Sequence, residues 1–295
     1  MSGNFHIRRL ALIGTGLIGG SLSLALKRAG RVDEVIGAGR NRKTLKRAYE
    51  LGIVDRFETD LAQAVVGADV VFVAVPVAAM ESVFATIAGH LTPEALLTDG
   101  GSVKRAVIDA AYRALGKSIE QFVPGHPIAG TEQSGPDAAF ADLYANHRVL
   151  LTPLPENPPA LVEKATQLWQ AVGAHVEYME AAHHDHVLAA TSHLPHVIAY
   201  ALVNSLGRLA ERKEIFRYAA GGFRDISRIA SSDAVMWRDI CLSNREELLA
   251  MIDLFREGLD EIETALRDKD GEQLQARFAN AKAIRDGLYR EANNN

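Results

Sequence analysis

The sequence predicts an α/β fold: a parallel sheet flanked by helices over residues 1–180, followed by an all-helical domain over residues 181–295. Three observations carry this. Short apolar runs alternate with helix-periodic stretches between Arg9 and Tyr178, strand patterns stop near Glu180, and the last long stretches place apolar residues every three or four positions. At 295 residues the chain is also too long for one ordinary core and suits two.

The first strand, Arg9-Leu10-Ala11-Leu12-Ile13, runs into Gly14-Thr15-Gly16-Leu17-Ile18-Gly19-Gly20 and then a helix to about Ala29. In this strand–turn–helix setting the glycines have separate duties. Gly14 makes the tight turn, Gly16 lets backbone approach a pyrophosphate, and Gly19 lets the helix pack on the sheet, with the phosphates at the positive helix end. Gly14, Thr15, Gly16, Leu17, Ile18 and Gly19 are therefore expected to hold a dinucleotide in a Rossmann-type domain.

The second strand is Val35-Ile36-Gly37-Ala38. Asp33 and Glu34 precede it, at the end away from the binding crevice, and the crevice end reads Gly39-Arg40-Asn41-Arg42-Lys43 with no carboxylate. Arg40 and Arg42 suit a 2′-phosphate, so NADP is favoured and NAD stays possible. The same arginines equally suit the solvent face of the next helix.

Helix and strand then alternate through Thr44–Leu51, Ala62–Val66, Asp69-Val70-Val71-Phe72-Val73-Ala74-Val75-Pro76 and Ala79–Ala88, which implies parallel strands. Val75 and Pro76 close their strand at the crevice end and are expected to shape the nicotinamide pocket. Leu96-Leu97-Thr98-Asp99 leads into Gly100-Gly101-Ser102-Val103-Lys104 and a helix that Ser102 is placed to cap, while its hydroxyl can still donate to a neighbouring histidine.

Phe122-Val123 delivers Gly125-His126-Pro127-Ile128-Ala129-Gly130-Thr131-Glu132. Glycine and proline flank the histidine, so His126 is expected on a turn, its ring projecting, near Ser102 at the carboxyl end of the sheet. That is a position for a base. Strands at Val149–Pro153 and His175–Tyr178, with a helix around Leu161–Val172, complete the domain.

In the second half a long helix starts at His183-His184-Asp185-His186 and contains Pro195, which frees the carbonyl around Thr191 and predicts a kink. His186, His193 and His196 share a face, yet no carboxylate completes a ligand set, and no metal is expected. His193 suits a substrate pocket. Arg224 and Arg228, four apart, suit a substrate carboxylate, although a salt bridge is as good a use for Arg224. Leu248, Ile252, Phe255, Leu259, Ile262 and Leu266 form a seven-residue seam, and Leu274, Phe278, Ala281 and Leu288 repeat it, which points to a homodimer through the helical domain.

Composition excludes other classes. A net charge of −5 argues against a nucleic-acid surface, and the absence of an apolar run of about 20 residues or of a signal pattern argues for a cytoplasmic location without a membrane span. The single cysteine, Cys241, excludes an intrachain disulfide and reads as a small core residue.

Together, Gly14-Thr15-Gly16-Leu17-Ile18-Gly19-Gly20-Ser21, Thr98 to Lys104, Pro124 to Glu132, Ala190-Thr191-Ser192-His193-Leu194-Pro195-His196 and Gly221-Gly222-Phe223-Arg224-Asp225 through Ala230 resemble the prephenate/arogenate (cyclohexadienyl) dehydrogenase family of tyrosine biosynthesis. The resemblance covers nearly the whole chain. It implies oxidative decarboxylation of prephenate and/or arogenate with hydride transfer to NAD(P)+, with His126 as catalytic histidine and Ser102 hydrogen-bonded near it. It also implies His193 and Arg228 as substrate-binding residues, Arg228 preferred over Arg224. Glu132 is a candidate contact for the amino group of arogenate. Gly39 departs from the aspartate often found in NAD-preferring members. Two other readings remain open: a 3-hydroxyacid or imine oxidoreductase, which would rely on a donor from the helical domain, and a non-catalytic dinucleotide-sensing regulator, which would not need these side chains to converge.

Overall fold

Alternating residues of the central strands of the main sheet supply two separate cores. In the computed structural model, which describes residues 5–292, Leu10, Leu12, Val35, Val70, Phe72 and Leu96 pack with Leu22 and Leu26 of one helix and Leu168 and Trp169 of another. Their neighbours Ala11, Ile13, Ile36, Val71, Val73 and Leu97 pack with Val83, Phe84, Ile87, Val107 and Ala111. A sheet buried on both faces reads as continuous apolar runs, as these strands do.

The elements, in order, are β1 (Ile7–Ile13), α1 (Leu17–Arg28), β2 (Val32–Ala38), α2 (Arg42–Glu50), β3 (Arg56–Glu58), α3 (Leu61–Val65), β4 (Val70–Val73), α4 (Met80–Ile87), β5 (Leu96–Asp99), α5 (Arg105–Ala114), β6 (Phe122–Val123), β7 (Gly125–Pro127), β8 (Arg148–Leu151), α6 (Pro159–Gln170) and β9 (His175–Tyr178). The main sheet is six-stranded and parallel in the order β3-β2-β1-β4-β5-β6. Strand order reverses between β1 and β4, so the crevice outside their carboxyl ends is where such sheets bind ligands.

Two features differ from expectation. The edge strand β3 carries no apolar run, and its Arg56 is instead tied by Glu34. The segment of His126 is not a free turn: Gly125, His126 and Pro127 pair antiparallel with Leu151, Leu150 and Val149, and β8 pairs in parallel with β9, making a separate three-stranded sheet. Pro127 ends its strand, where its missing N–H costs nothing.

Helices follow: α7 (Ala181–Leu188), a π-helical turn (Ala189–His193), α8 (Leu194–Gly207), α9 (Arg212–Arg217), α10 (Gly221–Arg228), α11 (Ala234–Ser243), α12 (Arg245–Arg267) and α13 (Gly271–Ala292). The π turn sits where Pro195 was expected to disturb the ladder, and Pro195 lies in the first turn of α8, where its missing donor is harmless. Among the described residues, Ala181–Gly207 is the one continuous helical stretch long and apolar enough to cross a membrane by length and composition. Its first turns are committed elsewhere, since His184 and Asp185 are buried and Asp185 caps α5.

Contacts divide the chain into two units, residues 1–245 and 246–295. In the second, Phe255, Leu259, Leu266 and Phe278 are exposed, along with Leu249, Leu254 and Ile284. The side chain of Leu288 lies outside the described residues.

Candidate active site

The first glycine turn is built for a phosphate group. Gly14 has φ +96°, and a Cβ there would stand 2.3 Å from the Ala74 carbonyl oxygen; at Gly19 it would stand 2.1 Å from the carbonyl oxygen of Gly14. Only glycine fits either place. At Gly16, in contrast, a Cβ would meet nothing nearer than 4.0 Å, leaving open space beside the turn. Gly16 begins α1 with no side-chain cap and no acidic residue in the first turn, so the positive end of the helix is left without a side-chain acceptor from its cap. The buried Thr15 hydroxyl has no partner either. These features fit a dinucleotide pyrophosphate.

Asp33 and Glu34, expected just before the second strand, lie within it, since β2 starts at Val32, and neither reaches this site. Asp33 pairs with His6 at 2.7 Å, and Glu34 accepts from both Arg9 and Arg56, at 2.7 and 2.8 Å. At the other end of β2, Arg40 is exposed, Asn41 caps α2 by accepting from Lys43 and Thr44, and the Arg42 guanidinium lies 5.6 Å from the Phe57 ring centre.

A cleft of about 400 Å³ joins the turn to His126; its walls include Gly16, Leu17, Ile18, Val75, Pro76, Ser102, His126 and Glu132. Beneath it lies a fully buried ion pair. Lys104 Nζ and Asp99 Oδ2 are 2.6 Å apart, Lys104 also donates to the Gly125 carbonyl at 2.6 Å, and Asp99 accepts from the N–H groups of Gly101 and Gly125. Backbone on both sides of the cleft is thus pinned by one pair of charges.

His126 has a partner that sequence reasoning missed. Its Nδ1 is 2.9 Å from His184 Nε2, and His184 Nδ1 is 2.8 Å from Asp185 Oδ1. Burial, with His184, Lys104 and His193 around it, holds the His126 imidazole well below its ordinary range, so it is neutral near pH 7. Burial also lowers His184, against the pull of Asp185. For Asp185 burial would raise the carboxyl, but hydrogen bonds from His184 and from the N–H groups of Lys104 and Arg105 leave it below the usual value.

Ser102 lines the cleft beside His126, yet its hydroxyl neither bonds that ring nor caps α5. The cap is Asp185, which accepts from Lys104 and Arg105 N–H at 2.7 and 3.0 Å. A carboxylate at a helix N-terminus outcompetes a hydroxyl. His193 does not line the cleft. It is buried in the π turn, its Nδ1 3.1 Å from the Asn244 amide, while its Nε2 has no hydrogen-bond partner. Burial takes it down to about 4, with the Ser102 backbone among the groups working in the other direction. Arg228, 60% exposed, reaches Glu132 at 3.0 Å, so one arginine of the helical segment meets a cleft residue. Arg224 is exposed and takes no part. Cys241 is half-buried against Val103, Trp237 and Ile240, and burial raises its thiol.

Signals for the missed residues existed. Asp99 and Lys104 flank Gly100-Gly101-Ser102, and His184-Asp185 opens the long helix, but only the fold shows that these segments meet.

The family models "Prephenate dehydrogenase, nucleotide-binding domain" and "Prephenate dehydrogenase, dimerization domain" match residues 22–178 and 180–280. The cyclohexadienyl dehydrogenase of Zymomonas mobilis is 40% identical over 95% of this chain and 96% of its own length. Among solved structures, prephenate dehydrogenase from A. aeolicus, in complex with hydroxyphenyl propionate and NAD+, superposes with a TM-score of 0.88 at 32% identity, covering 98% of this chain and 99% of that one. Synechocystis arogenate dehydrogenase gives 0.77 at 28% identity, covering 95% and 99%. With both family models matched in order along one chain, this protein belongs to the prephenate dehydrogenase family.

Proposed function

We propose that the chain oxidatively decarboxylates prephenate and/or arogenate, with His126 as general base. The observation that carries this reading is a neutral histidine on the wall of the cleft that also opens onto the glycine turn. When bound, the nicotinamide dinucleotide accepts a hydride. Gly14, Thr15, Gly16, Leu17, Ile18 and Gly19 would hold its pyrophosphate, and Val75 and Pro76 would border the nicotinamide.

The substrate is a cyclohexadienol with a hydroxyl on one ring carbon and a carboxylate on the opposite one. His126 takes the hydroxyl proton as the carbinol C–H electron pair departs as hydride; the ring carbon–carboxylate bond then breaks, its electrons aromatise the ring, and carbon dioxide leaves. A positioned base contributes about 10²–10⁴-fold, and close placement of the reactants contributes more. Ser102 supplies a hydroxyl on the same wall. Arg228 receives a substrate carboxylate by exchanging it for Glu132, and Glu132 so released is available to an amino group; Arg224, exposed nearby in sequence, is the second candidate for that carboxylate. His193 is assigned to the substrate by the resemblance alone, since its ring is buried behind the cleft beside Asn244.

In this reading NADP is the preferred cofactor, because Arg40 and Arg42 rather than a carboxylate follow β2, and NAD is accepted. The domain boundary falls near residue 180. The exposed apolar residues of α12 and α13 support a homodimer, and a cytoplasmic location is the expectation from the sequence alone.

Purified protein given prephenate or arogenate with NADP+ or NAD+ is expected to reduce the cofactor and release carbon dioxide, and His126→Asn to abolish turnover while leaving cofactor binding near wild type. Full activity in that variant would remove His126 as base.

A further inference from the structure

The base is expected to work through one ring nitrogen in one tautomer, and a neutral imidazole has two. Which nitrogen carries the proton is set by what the other one meets. Asp185 is held ionised at the N-terminus of α5 by the N–H groups of Lys104 and Arg105. A carboxylate can only accept, so His184 Nδ1, 2.8 Å away, must carry a proton. In neutral His184 the Nε2 is then a bare lone pair. That lone pair faces His126 Nδ1 at 2.9 Å, so His126 must be the donor there.

From this chain of contacts we infer that His184 and Asp185 are positioning residues that fix His126 as its Nδ1–H tautomer, leaving Nε2 as the lone pair of the base. The inference rests on the proposed role of His126. In the step itself the substrate O–H bond breaks and an N–H bond forms at His126 Nε2. The positive charge that develops on His126 lies two hydrogen bonds from the Asp185 carboxylate, with neutral His184 between them. A lone imidazole in this place would divide its population between a useful and a useless tautomer.

The surrounding groups agree with the assignment. His126 also faces Lys104, from the loop before α5, and His193 from the π turn, neither of which offers an acceptor that its Nδ1 uses in the structure. His184 faces Asp185, Lys104 and Asp99. Asn244 donates to the backbone carbonyl of Asp185 at 2.8 Å, which holds this turn of α7 in place without competing for the carboxylate. The two imidazoles meet edge-on, with centres 5.1 Å apart and planes at 62°, an arrangement that a hydrogen bond between ring nitrogens allows.

The test combines one spectroscopic and two kinetic measurements on the full-length protein. Nitrogen-15 spectra of the histidines at neutral pH are expected to show His126 protonated at Nδ1. In Asp185→Asn the amide can donate to His184 Nδ1, which moves that proton to Nε2 and drives His126 to the opposite tautomer. The variant is therefore expected to show His126 protonated at Nε2, with kcat down by about 10²–10⁴-fold and KM little changed. His184→Gln places a carbonyl oxygen near the old Nε2 position and is expected to retain much more activity than His184→Leu.

Wild-type protein with His126 protonated at Nε2 overturns the inference, and so does Asp185→Asn turning over at the wild-type rate. Should Asp185→Asn fail to fold, the wild-type spectrum and the Gln-to-Leu contrast at 184 decide alone. An active His126→Asn would remove the base itself; an inactive His126→Asn beside a fully active Asp185→Asn would remove only the relay.

Discussion

Lys104 and Asp99 face each other at 2.6 Å with neither side chain exposed, and both also hold the backbone of Gly125, the residue before His126. A charge pair taken wholly out of water is held mainly by its geometry, and breaking it strands the remaining charge. Lys104→Met is expected to lose about 3–5 kcal/mol of stability, read from urea denaturation. A loss under 1 kcal/mol would show that Asp99 is neutralised another way.

Arg228 and Glu132 form a pair of the opposite kind. The guanidinium is 60% exposed, so the pair is worth only about 0–1 kcal/mol and is easily exchanged for a ligand carboxylate. Arg228→Ala is expected to raise KM at least tenfold while kcat changes little and thermal stability stays within a degree or two. An unchanged KM would move the carboxylate receptor to another residue.

Three histidines have lowered values: His126, half-buried on the cleft wall, and His184 and His193, buried behind it, the last at about 4. In the unfolded chain each titrates near 6.5. Below that pH the unfolded state binds more protons than the folded one, so stability is fully present above 6.5 and drains away as pH falls toward the folded values. The urea midpoint is expected to drop between pH 7 and pH 5 and to drop less in His193→Asn. Equal slopes in the two proteins would mean that His193 is not held neutral by the fold.

Leu259 and Phe278 are 48% and 57% exposed on α12 and α13. Large apolar side chains left open on two long helices call for a partner surface, and a second copy is the simplest. Leu259→Glu is expected to shift the protein from dimer toward monomer in sedimentation velocity. A monomeric wild type would end that expectation.

What could be foreseen from the sequence follows the range of the forces involved. Gly14 and Gly19 were legible because steric exclusion by the next strand and the same turn is local and admits one residue type. The disturbance around Thr191 was legible because Pro195 removes a known donor. The three-residue β3 was not, since it has no apolar pattern and only its neighbour strand gives it shape. Nor was the strand that carries His126, whose partners lie more than 20 residues away, so that glycine and proline beside it suggested a turn. Ser102 was a sound local choice of cap, displaced by a carboxylate some 80 positions later. His184 and Asp185 were visible as letters, but their meeting with His126 is a property of the assembled sheet and helix.

The π turn at Ala189–His193 divides Ala181–Gly207 into two helical halves that are out of phase. One added residue turns everything beyond it by about 100° around the axis, since an α-helix takes 3.6 residues per turn. Asp185 and His184 sit before that step, and His196, stacked on Trp237 at 3.6 Å, sits after it. The two ends of the helix can therefore serve different neighbours although a regular helix would force them onto related faces. Deleting one residue of the turn would leave the Asp185 carboxylate on the N–H groups of Lys104 and Arg105 and swing His196 off Trp237, so a change that shortens the chain by a single position would act as a rotation.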